Sequence, residues 1–275
     1  MEYPVRVVAT GLFLEKDIEV VRETAEPLSS AIGALVNELW DVELVQNPNL
    51  FSGPMLVAQG LSISGSSLRL TCVESEYKNF MGTTHESVAA LLPGDRQHRA
   101  VGFMAVTVTC DGFCILGVRS PRIDWPTLRH VAPAGRLTPR QKHPYQGIRD
   151  EFQSELGMTE ADVSSLLCIG VAADLTWRRL NYEFVFLAHT ALSFREVIGK
   201  ARSARSGDEH SQLEPFVWDP YTIRELLLVE PEAYVPTGFA GLAMCLRYVF
   251  GTDAFPDWEP SHRTYAEHMG RRLLK

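Results

Sequence analysis

The chain has 275 residues, of which 45% are hydrophobic and 22% are charged, as is usual for a soluble globular protein. This length suffices for one large domain or two modest ones. The formal net charge of -8 argues against a nucleic-acid partner, which would require a basic surface, but a local arginine cluster could still hold the phosphates of a small nucleotide.

The cysteines point to a reducing environment. They are odd in number and widely spaced: Cys72, Cys110, Cys114, Cys168 and Cys245. We therefore predict small core residues and a cytoplasmic location. The amino terminus has no signal-peptide pattern, and no apolar run approaches the roughly 20 residues that a membrane helix needs. We expect no membrane partner, and the oligomeric state stays open.

The first third of the chain has a mixed α and β pattern. The predicted elements are a strand at 5–14, a helix at 17–44, a turn-rich break at 47–54, strands at 55–64 and 67–74 that form a hairpin, and a loop or short helix at 77–84. The polar segment 93–98 is the predicted boundary of this smaller N-terminal α+β region, which spans residues 1–98.

Beyond that boundary, strands and helices alternate, which indicates an α/β domain at 99–250 before a tail at 251–275. The predicted elements are strands at 101–110, 113–119, 129–133, 166–173, 181–190 and 216–218, helices at 145–156, 220–228 and 237–250, and polar loops at 135–144 and 203–212. Asp111-Gly112 favours a hairpin turn between the first two of these strands.

The helix at 145–156 carries the residues of greatest chemical interest. Glu151 and Glu155 are four residues apart and share one face, with the hydroxyl of Ser154 beside them. Two carboxylates on one helix repel each other, and a bound Mg²⁺ would reverse that repulsion because hard cations prefer oxygen ligands. The opposite face bears an apolar stripe of Ile148, Phe152 and Leu156, and Gly157 stands where a helix stop is expected.

The same helix carries a family resemblance. Glu151-Phe-Gln-Ser-Glu-Leu-Gly-Met158 resembles the second half of the Nudix box, E-U-x-E-E-x-G-U, in which U is aliphatic. Pro133-Ala-Gly135 resembles the start of that box, and Leu116-Gly-Val-Arg-Ser120 resembles the strand before it. The box is degenerate, because Ser154 replaces a glutamate.

Two further positions depart from the box: Asp150 stands where it has Arg, and Lys142 stands where its first Glu belongs. The N-terminal region adds three motifs in order. Trp40-Asp-Val-Glu-Leu44, Pro48-Asn-Leu-Phe-Ser-Gly-Pro54 and Glu76-Tyr-Lys-Asn-Phe-Met-Gly-Thr83 resemble the leading region of the Nudix branch that hydrolyses UDP-glucose and UDP-galactose.

This resemblance implies a Nudix α/β/α sandwich with a mixed sheet. It implies a hydrolase that uses Mg²⁺, with Mn²⁺ as an alternative, to cleave a nucleoside diphosphate-sugar into a nucleoside monophosphate and a sugar phosphate. UDP-sugars are the first candidates. Glu151 and Glu155 would be catalytic and would hold the metal with Ser154. The implied substrate-binding residues are Arg119, Gly135, Tyr77, Phe80 and Glu183.

Other interpretations remain open. The departures from the box also suit a non-catalytic Nudix-fold module that binds a nucleotide or a protein partner. An unrelated α/β scaffold with a chance pair of glutamates is a third reading. Glu209 lies in a polar loop and could supply a further ligand or base. His143, His189 and His210 lack ligand spacing, and we predict surface or core positions for them.

Overall fold

The computed structural model describes residues 5–48, 50–92, 98–175 and 181–255. Its strands are β1 (Val5–Phe13), β2 (Ile18–Glu23), β3 (Pro54–Ser64), β4 (Ser67–Glu76), β5 (Arg99–Val108), β6 (Phe113–Arg119), β7 (Arg129–Val131), β8 (Ala134–Arg136), β9 (Val163–Asp174), β10 (Asn181–Thr190) and β11 (His210–Val217). Its helices are α1 (Ser30–Gln46), α2 (Tyr77–Thr84), α3 (Glu86–Ala89), α4 (Pro144–Leu156), α5 (Phe194–Ala201), α6 (Pro220–Val229) and α7 (Pro236–Phe250).

The strands form one mixed sheet. Its main path runs β1-β9-β10-β5-β3-β4-β2, and β6, β7, β8 and β11 branch from it. β10 is parallel to β5, and β2 is parallel to β4, whereas the other paired strands are antiparallel. The predicted α/β class with a mixed sheet is confirmed.

Helices cover both faces of the sheet, because side chains alternate along each strand. Phe103 of β5 packs with the apolar stripe of α4 in one buried cluster. Its neighbour Met104 points to the other face and packs with α7 in a second cluster. Gly147 lets α4 approach closely, since a Cβ there would come within 2.3 Å of the Phe103 ring. The result is a three-layer arrangement in which β5 is central.

The predicted helix at 17–44 is wrong in its first part. Ile18–Glu23 is a strand, and α1 begins only at Ser30, after Ser29 caps it by accepting from the backbone of Ile32. β-Branched residues at alternate positions favour a strand, and here Ile18 and Val20 pair with Leu68 and Leu70 of β4. Pairing with β4, which is distant in sequence, therefore determines that residues 18–23 form a strand.

The two segments predicted as loops, 135–144 and 203–212, are shorter in the structure than expected. Residues 134–136 form β8, and His210 already begins β11, so that the predicted strand at 216–218 is the end of a longer one. The hairpin of β3 and β4 and the strands β5 and β6 agree with the predictions. Four cysteines are buried, whereas Cys110 is exposed rather than part of the core.

Strands from both sides of the predicted domain boundary hydrogen-bond within one sheet. β1 pairs with β9, and β3 pairs with β5. Residues 93–97 of the boundary itself, and the tail from residue 256, lie outside the described residues. The division into domains therefore stays a prediction. Within the ranges described above, no helix is both long and apolar enough to cross a membrane.

Candidate active site

The carboxylate-bearing helix α4 is held firmly between two local signals. His143 caps its start by accepting from the backbone of Tyr145, and Pro144 occupies its first position. Gly157 ends it in the left-handed conformation at a φ of 64°, which glycine adopts without strain. The predicted helix and its stop are confirmed, so the placement of Glu151 and Glu155 follows from a rigid element.

Glu155 faces the protein interior. Its side chain is 2% exposed, and both oxygens have protein donors. The backbone N–H of Ala134 donates to Oε1 at 3.1 Å, and Nε2 of His210 donates to Oε2 at 2.8 Å. The ring of His210 lies over Gly117, where a Cβ would come within 2.1 Å of Nδ1. Glu155 is thus anchored between β8 and β11.

The role of His210 was missed in the sequence, where the prediction assigned it only a surface or core position. It is indeed buried, at 9% exposed, but it contacts the carboxylate of Glu155. The two residues are 55 positions apart. No local spacing could have joined them, because the contact depends on the pairing of β11 with β6.

Glu151 faces the cleft described below. The hydroxyl of Ser154 donates to its Oε2 in a short hydrogen bond. Gly135 lies against it, and a Cβ there would come within 2.7 Å of Oε1. Burial raises the pKa of Glu151 to about 7, while the Ser154 hydrogen bond acts in the opposite direction and the negative charges of Glu155 and Glu209 add to the rise.

A cleft of about 1210 Å³ opens beside α4. Glu151, Gly135 and Glu209 line one part of it. Glu155 lies behind Glu151 and Glu209. These three glutamates are called the carboxylate end. Burial and the charge of Glu155 raise the pKa of Glu209, against the lowering effect of Arg119.

A second group of polar residues lines the same cleft: Asp174, Asn181 and Glu183, called the polar end here. Burial raises the pKa of Glu183 to about 7, although a hydrogen bond from Asn181 and the charge of Arg136 oppose the rise. Arg119 lines the cleft near both ends, since its charge lowers the pKa of Glu209 and of Glu183.

The two aromatic residues predicted to bind substrate differ in position. Tyr77 lines the cleft, where its hydroxyl donates to Oδ2 of Asp124 at 3.2 Å. Arg136 donates to the same oxygen at 3.0 Å and lies 4.9 Å above the Tyr77 ring. Phe80 is fully buried and does not line the cleft. Its ring lies 6.0 Å from that of Tyr77, and its contact with substrate stays a prediction.

The carboxylate end suits a cation in its chemistry. Glu151 and Glu209 present oxygen ligands to the cleft, and mutual repulsion with Glu155 contributes to their raised pKa values. Across the described ranges, however, no three His, Cys, Asp or Glu side chains are gathered around one point as a complete ligand set. The hydroxyl of Ser154 is engaged with Glu151.

The sequence matches no protein-family model and no curated protein. Several solved structures are similar to part of the chain. DR0079 from Deinococcus radiodurans aligns at 14% identity and a TM-score of 0.36, over 64% of this chain and 84% of its own. A Nudix hydrolase from M. smegmatis, RenU, aligns at 18% identity and a TM-score of 0.35, over 56% and 86%.

A C. elegans Ap4A hydrolase in a binary complex aligns at 14% identity and a TM-score of 0.35, over 55% of this chain and 98% of its own. Nudix hydrolases are therefore among the structures that part of this chain resembles.

Proposed function

We propose that this chain is a diphosphate hydrolase of the Nudix type. It acts on a nucleoside diphosphate linked to a sugar, with UDP-sugars as the first candidates, and releases a nucleoside monophosphate and a sugar phosphate. The observation that carries the proposal is one cleft in which Glu151 and Glu209 lie beside Arg119, with Glu155 directly behind them.

A divalent cation, Mg²⁺ or alternatively Mn²⁺, would be held by Glu151 in the cleft and by Glu155, whose carboxylate would exchange a hydrogen bond from Ala134 or His210 for the ion. When bound, it supplies positive charge to the diphosphate and lowers the pKa of a water molecule. The hydroxyl of Ser154, in this proposal, orients Glu151 through their hydrogen bond and is not itself required as a ligand. This proposal differs from the sequence-based expectation, in which Ser154 is itself a metal ligand.

The chain's own side chains account for the remaining tasks. The guanidinium of Arg119 lies in the cleft near both ends and is suited to bind the diphosphate, because guanidinium groups pair with phosphate oxygens in a bidentate manner. Glu209 lines the cleft beside Glu151, and burial and the charge of Glu155 raise its pKa, which suits it to take a proton from the attacking water. Gly135 leaves room for Glu151 next to β8.

The test is product release from a panel of nucleoside diphosphate-sugars with Mg²⁺, with each product identified by mass. We expect wild type and the control Glu225→Gln, an exposed glutamate on α6, to release a nucleoside monophosphate and a sugar phosphate. Glu151→Gln should release little. Equal rates in all three proteins would refute the role of the carboxylate end.

One observation favours a second candidate, a non-catalytic module that binds a nucleotide. Both oxygens of Glu155 accept from protein groups, and Ser154 stands where the Nudix box has an acid. Thermal unfolding with nucleotides distinguishes the two, since a ligand that binds only the folded state raises the midpoint. Stabilisation that is independent of Mg²⁺, without product release, would support the module.

A further inference from the structure

The polar end of the cleft is built from the ends of two adjacent strands. Asp174 closes β9 and Asn181 opens β10, and the two are paired directly across the antiparallel ladder. Glu183 follows two residues later and therefore lies on the same face as Asn181. None of the three residues is more than 9% exposed, yet all line the cleft. These three buried residues therefore form one wall of the cleft, and not part of a solvated surface.

The backbone makes room for this wall. Glu183 pairs with Gly102 of β5, and a Cβ on Gly102 would come within 2.2 Å of its Oε2. The carboxyl group therefore lies flat across β5. Nδ2 of Asn181 donates to Oε1 of Glu183 at 2.9 Å, which orients the amide. Its Oδ1 is buried and has no hydrogen-bond partner among the described residues.

An unmatched buried acceptor indicates a missing donor, because buried polar atoms are nearly always paired. Arg119 and Arg136 lie near Glu183, but the unmatched atom is an acceptor beside the carboxyls of Asp174 and Glu183, so it calls for a donor and disfavours a phosphate. Burial holds the pKa of Glu183 at about 7, so that it both donates and accepts at neutral pH. Sugar hydroxyls also do both, and two adjacent hydroxyls suit an amide oxygen next to a carboxylate.

We propose that the polar end binds the vicinal hydroxyls of a sugar in the substrate, with Oδ1 of Asn181 accepting from one hydroxyl and Asp174 from the next. This inference rests on the proposed function, because a nucleoside diphosphate-sugar contains two such groups, the ribose diol and the hydroxyls of the linked sugar. The ribose diol and the hydroxyls of the linked sugar offer the same donors. Titration with ligands that lack one or the other distinguishes the two.

The experiment is calorimetric titration of the full chain, with a chelator present to prevent turnover, against UDP-glucose, UDP and 2′-deoxyuridine diphosphate glucose. Asn181→Leu should raise the Kd for UDP-glucose roughly tenfold. If UDP shows no such loss and the deoxy ligand does, the linked sugar is bound. If UDP shows the loss and the deoxy ligand does not, the ribose is bound.

Three results would overturn the inference: no loss with any ligand, an equal loss with all three, or no binding of any of them to the wild type. Ser120→Ala is the matched control, since its hydroxyl is also buried and unpaired within the described part of the chain but lies outside the cleft lining. Asp174→Asn, which is nearly isosteric, should show the same ligand pattern and serves if Asn181→Leu does not fold.

Product release from UDP-glucose with Mg²⁺ separates this inference from the proposed function. Hydrolysis by wild type together with unchanged binding by Asn181→Leu would overturn only the hydroxyl site. The predicted ligand pattern without any hydrolysis would overturn only the hydrolase, and would leave a sugar-recognising binding module.

Discussion

The two ends of the cleft contain the same chemical group in two different settings. Burial raises the pKa to about 7 for both Glu151 at the carboxylate end and Glu183 at the polar end. At the carboxylate end, the neighbouring charges of Glu155 and Glu209 add to the rise. At the polar end, the charges of Arg136 and Arg119 oppose it.

The two settings favour different ligands at the two ends. Carboxylates that repel one another gain from a positive ion, which lowers the energy of all of them together. At the polar end, burial raises the pKa of the Glu183 carboxyl, and the neighbouring Oδ1 of Asn181 lacks a partner among the described residues. A neutral hydrogen-bond donor would satisfy that oxygen. Under the two proposals, a cation binds at the carboxylate end and a polyhydroxyl group binds at the polar end.

The largest expected effect comes from the anchor of Glu155. His210→Leu removes the donor to Oε2 and leaves a buried carboxylate with one unmatched oxygen. We expect a loss of about 3 kcal/mol in the free energy of unfolding, because breaking one partner of a buried pair is costly. Urea denaturation of the full chain measures it.

The control makes the same substitution at a half-buried position of β10. Within the described ranges, the side chain of His189 hydrogen-bonds only to Ser165, at 3.1 Å, so His189→Leu should cost less than about 1 kcal/mol. Equal losses in the two variants would mean that His210 does not hold Glu155, and the carboxylate end would then be a flexible group rather than a fixed one.

A second change addresses the polar end through pH. The pKa of Glu183 is about 7 in the folded chain and 4.5 for an ordinary glutamate, so between these values the folded state binds a proton that the unfolded state lacks. Its contribution to the free energy of unfolding therefore falls as pH rises through this interval and is constant above it. The Glu183→Gln variant has no titrating group at this position, so its free energy of unfolding does not fall for this reason.

We expect Glu183→Gln to gain about 2 kcal/mol of stability relative to wild type between pH 5 and pH 8. Denaturant unfolding at a series of pH values gives the difference. Glu225→Gln, which changes an exposed glutamate, should show no trend. A flat difference for Glu183→Gln as well would contradict a buried, neutral carboxyl at the polar end.

Local patterns in the sequence predict the scaffold of this site better than its contacts. The four-residue stripe of α4, its stop at Gly157 and the hairpin turn at Asp111-Gly112 are properties of a few neighbouring residues, and all three agree with the structure. Glu151 and Glu155 do share a helix, but their spacing does not tell which one the sheet covers.

That choice depends on residues distant in sequence. β11 places His210 against Glu155, and Gly117 of β6 leaves space for its ring. The same reasoning explains why Asp174 and Asn181 were not predicted. Each is an ordinary polar residue at a strand end, and only the pairing of β9 with β10 brings them together beside Glu183.

The smallest expected effect tests the comparison most directly, because it asks where a cation goes. At a Mg²⁺ concentration about ten times its Kd, a site present only in the folded state adds about 1.4 kcal/mol to the free energy of unfolding. Wild type and Glu183→Gln should both gain it, whereas Glu151→Gln should not. If Glu183→Gln loses the gain and Glu151→Gln keeps it, the assignment of the two ends is reversed. Since Glu151→Gln removes a charge that repels Glu155 and Glu209, it should be no less stable than wild type without Mg²⁺, which separates loss of the ion from loss of the fold.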